Sequence, residues 1–419
     1  MMKKYFLLSL IIAPLFLASC NSKDVESESE EPYVILISFD GFRDDYVEKF
    51  NTPNFKKFIN KGAAAVSMTS SYPSKTFPNH YSIVTGMYPG NHNLVDNTFY
   101  DPARQTTYSI GNNPLVTDRY YYSGLPLWQL VQQNGMKSAS YFWIGSEAKI
   151  AGSYPDYYEA YDGDVPNEAR IDTVMDWLNL PSTASPRFIS LYFSLVDSQG
   201  HSTGPNAKET GDTVLEADRL LGVLMNKLKS ISKNVNVIIT SDHGMYEMQN
   251  LPETYIYLDD VFDGIDISKE ILINNGTHTH LFVRDRVLNE NIYEQIKARE
   301  DRFVIYKKEE TPAHWNYRNS DRIGDYLLVA QTGSQFTTKQ RQSSNTFDGH
   351  VSGAHGFDPY ITPEMGAIFY AQGPNIKQGV EVQKFNNVHV YPLIAEILGI
   401  TTPANIDGKL SVLESILKD

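Results

Sequence analysis

Six residues, Val34-Ile-Leu-Ile-Ser-Phe39, form a run too continuously apolar for a strand with one wet face, and the run stops at Asp40-Gly41. A half-exposed strand alternates polar with apolar side chains. Unbroken β-branched and aromatic residues instead predict burial on both faces, as in a parallel sheet covered by helices. Similar runs occupy Phe188 to Val196, Val235 to Thr240 and Ala367 to Ala371, and the first two lead into Asp197 and Asp242. Between them, Thr210 to Ile231 has helical periodicity, with Val214, Leu215, Leu221, Leu224 and Leu228 as its expected buried stripe. Strands alternating with helices predict an α/β sandwich around a mostly parallel central sheet. In such sheets ligands gather beyond the carboxyl ends of the strands.

Texture changes from about residue 245 to 345. Short alternating pieces at His278 to Val283, Arg302 to Lys307 and Tyr326 to Ala330 are separated by charged turns. The interval is expected to be an inserted α+β subdomain or lid, the other reading being ordinary extensions of the main sheet. The whole of residues 33–419 is expected to be one catalytic domain carrying this insertion.

The first 19 residues stand apart. Lys3 and Lys4 precede an apolar run from Tyr5 to Phe16, followed by Leu17-Ala-Ser-Cys20, which reads as a secretory signal with a small-residue cleavage site. The run falls short of the roughly 20 apolar residues that a membrane span requires. Leu-Ala-Ser before Cys20 resembles a bacterial lipobox, so residues 20–32 are expected to be a lipidated N-terminus and a flexible acidic tether. An ordinary signal peptide with an incidental cysteine is the alternative. The tether's acidity fits a surface-sorting signal or a plain solvated linker. The expected location is that of an exported bacterial lipoprotein, periplasmic or on the cell surface, anchored through Cys20. Cys20 is the sole cysteine, so no internal disulfide can contribute and a large core must. A formal net charge of −14 opposes general binding to nucleic-acid backbones, so no stable nucleic-acid complex is expected. A phosphate-bearing substrate would need local positive charge, which bound divalent metals supply.

Four groups of residues carry the chemistry: Asp40-Gly41, Asp197-Ser-Gln-Gly-His201, Ser241-Asp-His-Gly244 and Gly353-Ala-His-Gly356. Asp197 and His201 stand four apart, so a helical turn would bring them together. Asp242 and His243 are delivered by a buried strand, and Gly244 marks a close backbone approach. Carboxylates with neutral imidazoles suit a catalytic zinc site that keeps a position open. Three Asp and three His divide into two three-ligand sets. Two metals roughly 4 Å apart clamp the attacking and leaving oxygens of an in-line displacement at phosphorus. Thr76, in a loop expected to be held by Pro73 and Pro78, is the candidate nucleophile. His80 is expected to brace that loop, and His278 and His280, with no carboxylate nearby in sequence, to have surface or packing roles.

These residues resemble those of the nucleotide pyrophosphatase/phosphodiesterases of the alkaline phosphatase superfamily. The resemblance runs from about Tyr33 to Leu398 and is weakest between residues 245 and 345. It rests on Ile37-Ser-Phe-Asp-Gly-Phe-Arg43, Lys75-Thr-Phe-Pro-Asn-His80, Thr85-Gly-Met-Tyr-Pro-Gly90, Asp96-Asn-Thr-Phe-Tyr-Asp101, Asp197-Ser-Gln-Gly-His-Ser202, Ser241-Asp-His-Gly-Met245 and His355-Gly-Phe-Asp358. It implies an alkaline phosphatase-like sandwich and two Zn2+ per chain. One would be held by Asp40, Asp242 and His243 with Thr76, the other by Asp197, His201 and His355. It further implies Thr76 as a nucleophile passing through a phosphothreonine, Asn97 as a donor to a phosphate oxygen, and Phe77 with Tyr161 as a sandwich for a nucleobase. The implied substrates are nucleotides, dinucleotides or nucleotide sugars, cleaved to a nucleoside 5′-monophosphate. Asn167 departs from the pattern, standing where many relatives carry an aromatic, which leaves substrate preference open. Two other readings keep the same core: a phosphomonoesterase or phosphocholine-type phosphodiesterase, and a catalytically silent surface lipoprotein.

Overall fold

A computed structural model describes residues 31–284, 286–342 and 346–418. The expected leader, Cys20 and nearly all of the tether lie outside the described residues. Eight strands form the central sheet, in the spatial order Val380–Val382, Ala63–Ala65, Phe369–Gln372, Asn234–Thr240, Pro32–Phe39, Phe188–Phe193, Ser138–Tyr141 and Tyr157–Glu159. Pro32–Phe39 pairs in parallel with Asn234–Thr240 on one side and Phe188–Phe193 on the other. Every residue of the run from Tyr33 to Phe39 is buried, which is why it contains no alternation. Phe369–Gln372 runs antiparallel to Asn234–Thr240, so the sheet is mostly and not wholly parallel.

The helix predicted at Thr210 to Ile231 spans Lys208–Lys227 and ends in a short 3-10 turn at Leu228–Ser230. Its buried stripe is Val214, Ala217, Leu221 and Leu224, at i, i+3 and i+4 spacing. Leu215, expected in the stripe, is exposed. One residue along a helix turns a side chain about 100°, enough to carry it off the packed face.

Within the 245–345 interval, strands at Ile271–Asn274, His278–Phe282, Tyr326–Ala330 and Phe303–Lys307 make a separate antiparallel sheet in that order. It has its own apolar cluster around Leu281, Ile296, Ile305 and Leu328. Trp315 from this region stacks on Tyr72 with ring centroids 3.8 Å apart, against the segment that leads to Thr76. Among the described residues no helix is long and apolar enough to cross a membrane.

Candidate active site

Asp40 directly follows the strand Pro32–Phe39, and Asp242 and His243 follow Asn234–Thr240 by two and three residues. The helix Leu195–Thr203, which begins just after Phe188–Phe193, carries Asp197 and His201. His355 follows the strand Val351–Ala354. Parallel pairing therefore brings three strand ends, and with them five ligand-type side chains, to one edge of the sheet, and the strand Val351–Ala354, which belongs to a separate two-stranded sheet, adds His355.

Thr76 departs from expectation: it is the first residue of the helix Thr76–Thr85, not part of a loop. Pro78 sits in the first turn, where a missing N–H breaks no intrahelical bond. Thr76 Oγ1 is 3.3 Å from His243 Nε2. That nitrogen is 3.0 Å from Asp242 Oδ2 and 3.6 Å from Asp40 Oδ1. On the other side, Asp197 Oδ1 is 3.4 Å from His201 Nε2 and 3.9 Å from His355 Nε2. Ligands of a tetrahedral zinc at about 2.0–2.1 Å stand roughly 3.3 Å from one another. The two sets are close to that spacing.

Three carboxylate oxygens in this site, Asp40 Oδ1, Asp197 Oδ1 and Asp242 Oδ2, are buried without a hydrogen-bond donor. Leaving such atoms unpaired is costly unless a cation takes the donor's place. Burial raises the Asp40 pKa well above the usual carboxylate range, and the charges of Asp242 and Asp197 raise it further. Burial likewise raises Asp197. Asp242 lies well below that range: burial opposes ionisation, but the neighbouring His243 and His80 outweigh it. Burial holds His355 well below the ordinary imidazole value, with His243 and Lys75 adding to the effect, so it offers a neutral lone pair. Its Nδ1 meets the Ser74 carbonyl at 2.8 Å, and His201 Nδ1 meets the Gly353 carbonyl at 2.8 Å. These contacts fix the outer nitrogens and leave both Nε2 atoms toward Asp197, the arrangement expected around metal-binding histidines. The residues fit a metal cofactor.

Two glycines make the convergence possible. Gly41, at φ 67, donates its N–H to Asp242 Oδ1 at 3.2 Å, and a Cβ there would stand 2.9 Å from the Asp197 Cα. Gly244 runs against the Glu364 carbonyl, which occupies the place a Cβ would take. This is the close approach expected from the sequence.

His80 lies in the helix Thr76–Thr85, with its Nδ1 3.4 Å from Asp242 Oδ2. Its Nδ1 contacts the Thr76 carbonyl at 2.9 Å and its Nε2 contacts Ser38 Oγ at 2.8 Å, so both nitrogens have local partners. The Asn97 side-chain oxygen accepts the Phe77 N–H at 2.9 Å, which leaves the amide NH2 as its free donor group beside Thr76.

A cavity of about 330 Å³ opens from Thr76, Asp40 and Asp197 and is walled by Phe77, Tyr161, Ile110 and Val116. Phe77 and Tyr161 thus border one space. Tyr161 is 55% exposed and leans on Phe142 with ring centroids 5.2 Å apart. Phe142 itself has φ 66, a strained backbone for an aromatic residue and of the kind that clusters at ligand sites. Asn167, the departure from the resemblance, begins the helix Asn167–Asn179.

Several residues at the site escaped the sequence reading. Tyr192 donates its hydroxyl to Asp40 Oδ2 at 2.5 Å; its signal was a lone phenol in an otherwise buried strand. Lys75 donates to the His355 carbonyl at 2.9 Å, and burial lowers its pKa against the pull of Asp96 and Asp197. Arg43 is committed elsewhere, to Asp45 and the Met245 carbonyl. His278 and His280 require a correction: they are fully buried, and their Nε2 atoms face Asp96 Oδ2, His278 in direct contact and His280 at 3.4 Å. Asp96 lies some 180 residues away in sequence, so only the fold reveals the carboxylate. Burial opposes its charge, yet His278 and then His280 hold Asp96 far below the usual carboxylate range.

With this site on the strand ends of an α/β sandwich, the chain belongs to the type I phosphodiesterase/nucleotide pyrophosphatase family, whose sequence model matches residues 34–358. It is 36% identical over 415 residues to ectonucleotide pyrophosphatase/phosphodiesterase family member 1 of Mus musculus, a match covering 96% of this chain and 44% of that protein. It is 35% identical to the venom phosphodiesterase of Macrovipera lebetinus, over 96% of this chain and 47% of that protein. The chain thus spans less than half the length of these curated relatives. Among solved structures it resembles murine ectonucleotide pyrophosphatase/phosphodiesterase 5, determined as an inactive threonine-to-alanine variant in complex with AMP. That likeness has a TM-score of 0.84 at 29% identity and covers 93% of this chain and all of the other. The human counterpart matches with a TM-score of 0.84 over 92% of this chain.

Proposed function

We propose that this protein is a metal-dependent hydrolase that cleaves phosphodiester or pyrophosphate bonds of nucleotides and releases a nucleoside 5′-monophosphate. The observation that carries the reading is a hydroxyl, Thr76 Oγ1, 3.3 Å from His243 Nε2 and lining one cavity with Asp40 and Asp197, whose buried carboxylate oxygens lack donors. Asp40, Asp242, His243 and Thr76 would hold one zinc, and Asp197, His201 and His355 the other. Such ions supply positive charge that favours the alkoxide of Thr76 and hydroxide from water and offsets charge on the phosphoryl oxygens.

Thr76 Oγ1 attacks phosphorus while the bond to the leaving oxygen breaks on the opposite side, giving a phosphothreonine. Water then breaks the threonine–phosphorus bond, freeing the monophosphate and restoring the hydroxyl. The Asn97 NH2 donates to a non-bridging oxygen as its charge grows. The base of the nucleotide lies in the adjoining cavity between Phe77 and Tyr161, where an aromatic face accepts any base. Support comes from the family membership and from the AMP held by the murine relative.

The test is turnover of a nucleotide phosphodiester beside a phosphomonoester and a phosphocholine diester. Wild-type protein is expected to prefer the nucleotide, and Thr76→Ala to lose at least about 1,000-fold in kcat, in the range of removing a covalent nucleophile. Wild-type turnover by Thr76→Ala, or preference for the monoester, sinks this reading.

The same proposal extends to organisation: residues 1–19 as a signal, Cys20 as a lipidated anchor on the tether, and residues 245–345 as an insertion in the catalytic domain. Membrane fractionation checks the anchor. Cys20→Ser is expected to move the protein to the soluble fraction, and unchanged membrane retention would refute the lipid.

A further inference from the structure

The segment Val95–Thr98, which carries Asn97, is held by residues in and around the antiparallel sheet of residues 271–330. Tyr317 donates its hydroxyl to the Val95 carbonyl at 3.0 Å. Asn275 donates to Asp96 Oδ2 at 2.9 Å and to the Thr98 carbonyl at 3.0 Å. His278 Nε2 contacts the same carboxylate oxygen, and His280 Nε2 lies 3.4 Å from it. The other oxygen, Asp96 Oδ1, accepts the backbone N–H of Asn97 at 2.7 Å. Asp96, His278 and His280 are all fully buried.

Two carboxylate-facing histidines could mark a third metal site, and the chemistry of the cluster argues otherwise. Asp96 Oδ2 already receives an amide donor from Asn275. His280 Nδ1 accepts the Gly324 N–H at 3.3 Å, which places the imidazole proton on Nε2, facing Asp96. A metal would require that nitrogen bare. The histidines are donors to an ionised carboxylate, a charge-assisted arrangement stronger than neutral hydrogen bonds.

The geometry points to His278, with His280 and Asn275, as positioning residues that act through Asp96 to set the Asn97 amide for the phosphoryl oxygen. The antiparallel sheet of residues 271–330 thereby becomes part of the catalytic apparatus without touching substrate. The inference rests on the Asn97 role proposed above. Donors to a developing charge work only when preplaced, and a shift of about 1 Å costs on the order of a hundredfold in rate.

The experiment is a double-mutant cycle between Asn97→Ala and His278→Leu on a nucleotide phosphodiester, with melting temperature and zinc content measured on each variant. His278→Leu is expected to lower kcat about tenfold to a hundredfold, leave KM nearly unchanged and retain two zinc per chain. His278→Gln, which keeps a donor, is expected to recover most of the loss. In the Asn97→Ala background, His278→Leu is expected to add almost nothing, because both changes remove the same interaction. If His278→Leu does not fold, Asn275→Ala takes its place in the cycle with the same expectation.

Full additivity of the two effects overturns the inference, as does wild-type kcat in the single variant. A third zinc equivalent lost with His278 overturns it in favour of a metal site. Full activity of Asn97→Ala alone would remove the Asn97 assignment and the brace together, whereas additivity on a crippled Asn97→Ala removes only the brace.

Discussion

At the scale of single residues, the proposed reaction separates groups that would meet phosphorus from groups that hold them. Thr76 and Asn97 belong to the first kind; Tyr192, His80 and Asp96 belong to the second. Phe77 is an intermediate case, since its backbone N–H fixes Asn97 while its ring borders the cavity. Removing the ring alone should therefore affect affinity more than chemistry. Phe77→Ala is expected to raise KM for a nucleotide substrate roughly 5- to 150-fold, the span of one base–aromatic stack of about 1–3 kcal/mol, while sparing a small diester that lacks a base. Steady-state kinetics on both substrates check it, and equal losses on the two would remove the stacking role. The convergence of the proposed ligand residues was legible because adjacent glycines and strand ends mark them locally. Tyr192, Lys75, Asp96 and His278 were not, because their partners lie between about 150 and 280 residues away, at separations that only the folded chain closes.

Among the elements, the helix Thr76–Thr85 and the short helix Pro89–His92 are tied by a buried histidine. His92 Nε2 contacts Ser82 Oγ at 2.9 Å and the Pro78 carbonyl at 3.2 Å, and its Nδ1 accepts the Leu94 N–H at 3.2 Å. That tautomer is neutral. Burial lowers the His92 pKa to about 3, with the Pro78 carbonyl pulling weakly the other way. An unfolded histidine takes a proton near pH 6.5 that the folded one refuses, so the unfolded state binds more protons between those values. Stability is therefore full above about pH 6.5 and declines as pH falls through that window, by at most about 1.4 kcal/mol per pH unit from this group. Urea midpoints from pH 7.5 to 5 are expected to fall less steeply in His92→Gln than in wild type, and parallel slopes would exclude the group. The parallel strands and the long helix were readable from periodicity, since unbroken apolar runs and i, i+3, i+4 spacing are set by the local chain. The helical placement of Thr76 was not, because two nearby prolines mimic a loop until the first-turn position of Pro78 is known.

For the whole molecule, the site gathers three carboxylates at the edge of a large core, and an empty site must tolerate their mutual repulsion. Divalent ions that bind only the folded chain add RT ln(1 + [L]/Kd), about 2.7 kcal/mol at a hundredfold excess over Kd. Chelation is expected to abolish turnover and lower the melting temperature by a few degrees, both restored by added zinc. An unchanged melting curve after verified metal removal would mean that the carboxylates are tolerated without ions. The sandwich was legible in the sequence because one buried layer of strands dominates it, whereas the contact between residues 271–330 and the Asn97 segment was not, since neither part carries a local mark of the other. The span between the two halves of the site has a simple gauge. With the Asp197 backbone 2.9 Å from where a side chain at Gly41 would begin, only a hydrogen atom fits between the end of the strand Pro32–Phe39 and the helix Leu195–Thr203. Any side chain at Gly41 would therefore have to push that helix, and Asp197 with it, away from Asp40.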